Sequence, residues 1–387
     1  MATARPIDFD SAILCGSDLR VLLNSDHLSY GEIYKTLKGK GIFVGNSDKS
    51  TTVPLLSSTL LTPNDFTRLI QASVDRESQP KVKVAGLPLL DKDADWVAVL
   101  KKELIDSSFN VSCESPGLVF TKAPSLTVVD SKKARISYQI CRQDISKDWI
   151  ERELTFDGQI VVEKSDGKLR LDFVSTHSSK ETDAINKKLT SRVGKILRAA
   201  NIAATDEVVS VLFGNFDNEE RVRYFKRLTS GDGACLSPGQ VGDIEICLDA
   251  AGPSLPDDPE VSWMKQTVRR LNVDGERLND IFLISDEKYY KHYYITRMNV
   301  TYPFSFASSS GDCQVSFFYS GQRKIGEKSE LTFECLRWSY KDLVNADAKK
   351  EISSAVQHAI RSIIEGKFDV TLAERASIAN ETSAFAE

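Results

Sequence analysis

Hydrophobic and polar positions change their spacing several times along the chain, and each change marks an expected element. Over the first eighty residues the spacing is helical. "DLRVLLN" is a short apolar run. "SYGEIYKTLK" opens with Ser29 and has Glu32 three residues on, the pattern of a capping box, after which Ile33 and Leu37 face inward. "TPNDFTRLIQASVDRE" begins with Thr62 as N-cap and Pro63 in the first helical position. Phe66, Leu69, Ile70 and Ser73 then share one face. A polar link, "DRESQPK", leads to an expected strand, "VKVAGLPLL", and a helix, "DADWVAVLKKELID", with Trp96, Leu100 and Leu104 on one side.

From about residue 115 to 177 the period falls to two. Ile136, Tyr138 and Ile140 alternate with polar neighbours in "RISYQIC", and "IERELTF", "QIVVEK" and "LRLDFVS" follow. Asp157-Gly158 and Asp166-Gly167 separate these runs, and Asp-Gly between alternating runs predicts a two-residue hairpin turn. A helix from about 180 to 199 closes this meander. The second half repeats the outline, with strands in "DIEICLDA", "KYYKHYYITRMNVTY", "CQVSFFYS" and "ELTFECLRW". A helix from about Ala346 to Glu365 follows, with Ile352, Val356, Ile360 and Ile363 or Ile364 on its apolar face. The tail "ERASIANETSAFAE" is expected to be loose. Strands and a closing helix thus occur twice, each helix carrying a Lys-Lys pair, Lys187-Lys188 and Lys349-Lys350. Shared architecture without common origin is the plainer explanation of the likeness.

The expected fold class is therefore α+β: a small helical N-terminal module followed by two antiparallel-sheet-plus-helix regions. The expected domains are 1–80, 81–204 and 205–387. Length agrees, since 387 residues are more than one domain usually holds. Composition is that of a globular protein, 41% hydrophobic and 27% charged. No apolar run reaches the roughly 18 residues of a membrane span, and "MATARPIDFD" lacks the apolar core of a secretory signal, so the expected location is the cytoplasm. Seven cysteines are dispersed with no C-x-x-C pair, and none of the four histidines lies near another. That pattern argues against a disulfide frame and a zinc site.

A net charge of −5 gives no global pull toward nucleic acid, so any such binding must come from local patches. One is "GKGIFVGNSDKS", Gly39 to Ser50. A phosphate-binding loop needs glycine directly before the lysine and a strand leading in. Here Asn46, Ser47 and Asp48 intervene between Gly45 and Lys49, and a helix leads in, so the P-loop reading fails. A second patch is the helix from Ala184, where Lys187, Lys188, Arg192, Lys195 and Arg198 occur without an acid. Ile185, Leu189, Val193 and Ile196 are expected to be its buried face, and Lys188, Arg192 and Lys195 to lie together on another. Arg221, Arg223, Lys226 and Arg227 extend the charge, against Glu219 and Glu220. A solvated helix face explains the same residues. "YYKHYYITR" mixes rings and cations, which suits base stacking or an aromatic strand in the core.

Enzyme signatures are sparse. There is no G-x-S-x-G and no H-E-x-x-H. Asp243, Glu245 and Asp249 could serve a divergent nuclease with Mg²⁺, yet no lysine follows in the required place. No cofactor is otherwise expected.

"LSYGEIYKTLKGKGIFVGNSDKSTTVPLLSSTLL" resembles a SAP-type helix–extended loop–helix module. Such modules contact nucleic-acid backbone phosphates, usually of DNA. The resemblance implies Lys38, Lys40, Lys49 and Ser50 as contacts, aided by the helix N-terminus after Asp48. More widely, "LRVLL…LSYGEIYKTLKGKGIF…DKSTTVPLLSSTLLTPNDFTRLI" is similar to the second subunit of GAPS-type two-gene antiphage systems of bacteria. That likeness implies a hetero-oligomer with an effector nuclease subunit, phage DNA features as trigger and cellular RNA as target. The leading expectation is a non-catalytic nucleic-acid sensor or adaptor, with DNA favoured over RNA. The alternatives are the metal-dependent nuclease and a pure assembly subunit that binds no nucleic acid.

Overall fold

The computed structural model describes residues 16–24, 28–46, 48–69, 81–91, 93–106, 117–143, 153–165, 168–175, 180–262, 264, 268–307, 309–319 and 325–384. Helices at the N-terminus are followed by antiparallel strands and further helices, an α+β architecture. The chain forms two compact units. The first takes residues 1–80, 88–169 and 173–207; the second takes 208–387 and borrows Lys81–Leu87 and Arg170–Asp172.

The first unit begins with α1 (Gly16–Asn24), α2 (Tyr30–Gly39), α3 (Lys49–Ser57) and α4 (63–69). The capping box of α2 is present: Ser29 Oγ accepts from the Glu32 amide at 3.3 Å, and the Ser29 amide donates to Glu32 Oε2 at 2.6 Å. Gly41 ends the helix with φ +76°, the left-handed conformation that glycine adopts without strain. Leu19, Leu22, Leu23, Leu28, Ile33, Leu37, Val53, Leu56, Leu61, Phe66 and Leu69 form one core, with Ile42 and Val44 packed against it. The expected face of the fourth helix holds at Phe66 and Leu69, while Ile70 and Ser73 lie outside the described residues.

The rest of this unit is a meander of β2 (Leu118–Val128), β3 (Lys133–Gln143), β4 (Glu153–Ser165) and β5 (Lys168–Ser175), in that spatial order. The helix α5 (Trp96–Asp106) buries Trp96, Leu100 and Leu104 as its spacing predicts. The helix α6 (Lys180–Ala199) packs on β4 through Ile185, Leu189, Val193 and Leu197. The fourth inward position is Leu197 and not Ile196, which is half-buried.

Asp157-Gly158 is not a turn. Both residues lie inside β4, opposite Gln139 and Tyr138 of β3, so "IERELTF" and "QIVVEK" merge into one strand. The glycine has a packing reason: a Cβ there would overlap the Tyr138 ring. Tyr138 lies across that space and donates its hydroxyl to Asn186 Oδ1 on α6 at 2.7 Å. Asp166-Gly167 lies outside the described residues.

The second unit runs, in spatial order, from the Arg170–Asp172 piece of β5 through β1 (Lys81–Pro88), β11 (Leu331–Tyr340), β10 (Ser309–Tyr319) and β9 (Tyr293–Phe306) to β7 (Gln240–Leu248) and β8 (Arg270–Asp274). A short β6 (Val209–Ser210) pairs with β1. One sheet face is apolar, carrying Ile244, Met298, Val300, Tyr302, Val315, Phe317 and Phe333. The helices α7 (Asn218–Leu228) and α10 (Ala346–Ala384) pack on β9 and on each other. The short helices α8 (Pro259–Ser262) and α9 (Phe282–Ser285) lie in the connections.

Two expectations for this half are corrected. "KYYKHYYITR" is not one strand: residues Glu287–His292 form a 3₁₀ turn that leads into β9. The last helix does not stop near Glu365 but runs through the tail to Ala384. Phe368 and Thr371 are buried. Arg227 donates to Glu374 at 2.6 Å, and Arg375 donates to Glu220 and the Asn215 carbonyl. Docking on α7 thus stabilises a segment whose composition alone reads as a tail.

Arg170 and Asp172 alternate on β5 and meet Arg361 and Glu365, one helical turn apart on α10. Arg170 forks onto Glu365 with two bonds of 2.8 Å, and Arg361 Nε lies 3.3 Å from Asp172 Oδ2. Arg170, Asp172 and Arg361 are all buried. Two acids and two guanidiniums thus meet where β5 faces α10.

Candidate nucleic-acid interface

In the N-terminal module the helices α2 and α3 flank the segment Ile42–Val44. From Ile42 to Val44 the chain is neither helix nor strand, and Ile42 and Val44 dock on the module's core while Phe43 is exposed. The helix α3 starts at Lys49 with Asp48 as N-cap. No side-chain bond from Asp48 caps α3; its carboxylate instead accepts from Asn46 Nδ2 at 2.6 Å. The first turn of α3 therefore carries the helix's positive end beside Lys49 and Ser50.

The four expected contacts differ in their freedom. Lys38 and Ser50 are exposed. Lys49 is half-buried, with Nζ 5.7 Å from the Tyr30 ring centroid, a cation–π arrangement. Lys40 is committed: its ammonium is 2.5 Å from Asp65 Oδ2. Asp65 also accepts from the Thr62 hydroxyl at 2.6 Å and amide at 3.1 Å. Lys40 first, then Thr62, hold its carboxyl well below the usual range. Lys40 thus ties the exit of α2 to the start of α4.

On α6, Lys187 and Lys195 are exposed, whereas Lys188 and Arg192 are half-buried. Lys188, Arg192 and Lys195 fall on one side of α6, as helical spacing requires, but only Lys195 of the three is exposed. Arg198 is bonded to Asp206 at 2.7 Å. Asp206 is held below its ordinary value by its own backbone amide, then by Arg198, with a contribution from Lys195. On α7, Arg221 is buried and bonds to the carbonyls of Phe213 and Phe216 and to Asn218 Oδ1. Arg223 pairs with Glu219 and Glu287, and Arg227 with Glu374. Within the basic run 221–227, Arg223 and Arg227 thus meet acids distant in sequence, Glu287 and Glu374, and Arg221 is taken up by carbonyls.

The rings of "YYKHYYITR" are not a stacking platform. Tyr289, Tyr290 and Tyr293 have 0% exposure, and their hydroxyls bond to Asp258 and to the Ile284 and Leu283 carbonyls.

The acids of the nuclease alternative separate. Asp249 sits past the end of β7, where it accepts from Asn218 Nδ2 at 2.7 Å and from the Ala251 amide at 3.0 Å. Asp243 and Glu245 share the second unit's polar sheet face. One register row there reads Lys81, Glu334, Ser316, Asn299, Asp243, Asp274 across six strands. The row beside it includes Lys83, Thr332, Arg297 and Glu245. Asp243 accepts from Asn299 Nδ2 at 2.9 Å and Arg297 at 3.2 Å, and Glu245 meets Thr296 and Arg270. Burial raises the pKa of Asp243; Arg297 opposes this, and Asp274 and Glu245 add to it. Among the described residues no group of three or more His, Cys, Asp or Glu is placed to hold a metal ion. Sequence reasoning found Asp243 and Glu245 but missed their row, because register across six strands is not written locally in any one of them.

Residues 17–79 match the family described as the GAPS4b protein N-terminal domain. The match is confined to the N-terminal module and supports a GAPS-type antiphage defence protein of bacteria. No curated protein matches the chain. The crystal structure of DynU16, a protein in the dynemicin biosynthetic locus, is 10% identical over 74% of this chain and 98% of its own, with a TM-score of 0.19, and carries no conclusion. Among the described residues no helix is long and apolar enough to cross a membrane.

Proposed function

We propose that this chain is the nucleic-acid-sensing, non-catalytic subunit of a bacterial antiphage complex, working beside an effector nuclease subunit in the cytoplasm. The observation that carries the reading is the family match over residues 17–79, which falls on the one module with exposed Lys38 and Ser50 and with Lys49 at a helix N-terminus. An α-helix start with lysine beside it favours phosphate, and backbone phosphates of DNA are the ligand proposed. Lys40 supports the module's fold through Asp65 and is not a primary contact. Lys195 on α6 is a secondary contact; Lys188 and Arg192 belong to the same helix but are less accessible.

The functional test is phage plating on bacteria that carry the chain in its native locus. With Lys38→Glu and Lys49→Glu together, protection is expected to fall although the protein accumulates to its normal level. Unchanged protection would remove the module from the sensing role. The Mg²⁺-dependent nuclease reading gains no support from the separation of Asp249 from Asp243 and Glu245.

A further inference from the structure

Trp338 and Tyr340 occupy alternate positions at the end of β11 and are half-buried. Their ring planes lie within 9° of each other, with centroids 6.2 Å apart. A planar group stacked on one ring therefore lies parallel to the other. Phe304 of β9 meets both edge-on, at 6.0 and 5.9 Å. It has room because position 311 of β10 is glycine: a Cβ there would stand 2.8 Å from Phe304 Cζ. Lys349, exposed in the first turn of α10, holds its ammonium 5.4 Å from the Tyr340 centroid. The strand β1 reaches β11 only as far as Glu334, so no described strand lies along that side of β11 beside the two rings.

We propose that Trp338 and Tyr340 form a stacking site for a nucleobase, with Lys349 taking the attached phosphate. Aromatic side chains accept any base by its π-face, and a nearby cation completes recognition of a nucleotide unit. The nucleotide can be free or part of a single strand; the chemistry recognised is the same. This site is in the second unit and does not rest on the N-terminal module. Of the two sequence readings of "YYKHYYITR", the core one describes Tyr289, Tyr290 and Tyr293, whereas Trp338 and Tyr340 sit at the end of an ordinary alternating strand.

The test uses the full chain with Lys38→Glu and Lys49→Glu, so that binding at the module and at this site are read separately. A short fluorescein-labelled oligothymidylate is titrated by anisotropy, and adenosine monophosphate is followed by quenching of tryptophan fluorescence. Tyr340→Leu, which keeps an apolar side chain but removes the ring, is expected to weaken binding roughly tenfold or more. Lys349→Glu, at an exposed position, is expected to weaken it without altering the circular dichroism spectrum. Where the two variants weaken binding the site is supported: binding of both ligands then identifies a free nucleotide as a sufficient ligand, and binding of the oligonucleotide alone identifies the single strand. If neither ligand binds at low salt, or if Tyr340→Leu and Lys349→Glu both bind as the parent chain does, the proposal is overturned.

Discussion

Replacing Arg170 by methionine should strongly destabilise the second unit, and the reason can be worked from the structure. Arg170 is 3% exposed and makes two bonds of 2.8 Å to Glu365. At that separation the attraction between unit charges is about 6 kcal/mol at an effective dielectric of about 20. Desolvating the two ions offsets much of this. Removing one partner is a different perturbation, because Glu365 then loses its two guanidinium bonds while staying largely buried. The expected loss is about 3–5 kcal/mol. Hydrogen exchange of the α10 amides around residues 356–368 reads this as local opening, with rates expected to rise roughly 10²- to 10⁴-fold. The double variant Arg170→Met, Glu365→Leu removes both desolvation costs and should return to within about 1–2 kcal/mol of wild type. A rise below about fivefold in the single variant, or a double variant as labile as the single one, would refute the reasoning.

Three further outcomes follow from local geometry. Gly158→Val should disorder the β3–β4 contact, because its side chain would displace the Tyr138 ring; the variant's melting temperature should fall, and Tyr138→Ala in the same chain should recover part of the loss. Burial raises the pKa of Glu334 above its ordinary 4.5, against the pull of Lys81. Its folded form then binds more protons than its unfolded form, so its contribution to stability falls as pH rises from the ordinary value through the raised one. Glu334→Gln should flatten that slope in urea melts between pH 4 and pH 7. The Cys141 thiol is pushed up to about 11 by burial and by Glu153, so its alkylation by iodoacetamide should stay slow at pH 8 and quicken only in strong alkali.

The elements that sequence reasoning read well are those whose signal is local. The α2 capping box, the Trp96–Leu100–Leu104 face and the alternation of β3 each depend on neighbours within one turn or one strand. Errors arose where a distant residue decided the outcome. Asp157-Gly158 reads as a turn until the Tyr138 ring is known to need the space of a missing Cβ. Residues past Glu365 read as a tail until α7 supplies Arg227 and Glu220. At the candidate site, Lys38, Lys49 and Ser50 came from the resemblance to a helix–loop–helix module, and their exposure was not legible from it. Nor was the loss of Lys40 to Asp65, because the ion pair joins residues twenty-five apart. The meeting of Arg170, Asp172, Arg361 and Glu365 had no sequence signal at all, since each is unremarkable in its own segment.

The most direct test of the proposed sensing function is fluorescence anisotropy of the purified chain against labelled duplex DNA, single-stranded DNA and RNA, at two salt concentrations. Wild type is compared with Lys38→Glu, Lys49→Glu; Lys40 is left intact because its reversal would set two acids side by side at Asp65. The expected result is tightest binding to duplex DNA, weakened by salt in proportion to the phosphates neutralised, and a clear loss of affinity in the double variant. Absence of binding by wild type at low salt, or equal binding by the variant, would contradict recognition of nucleic acid by this module.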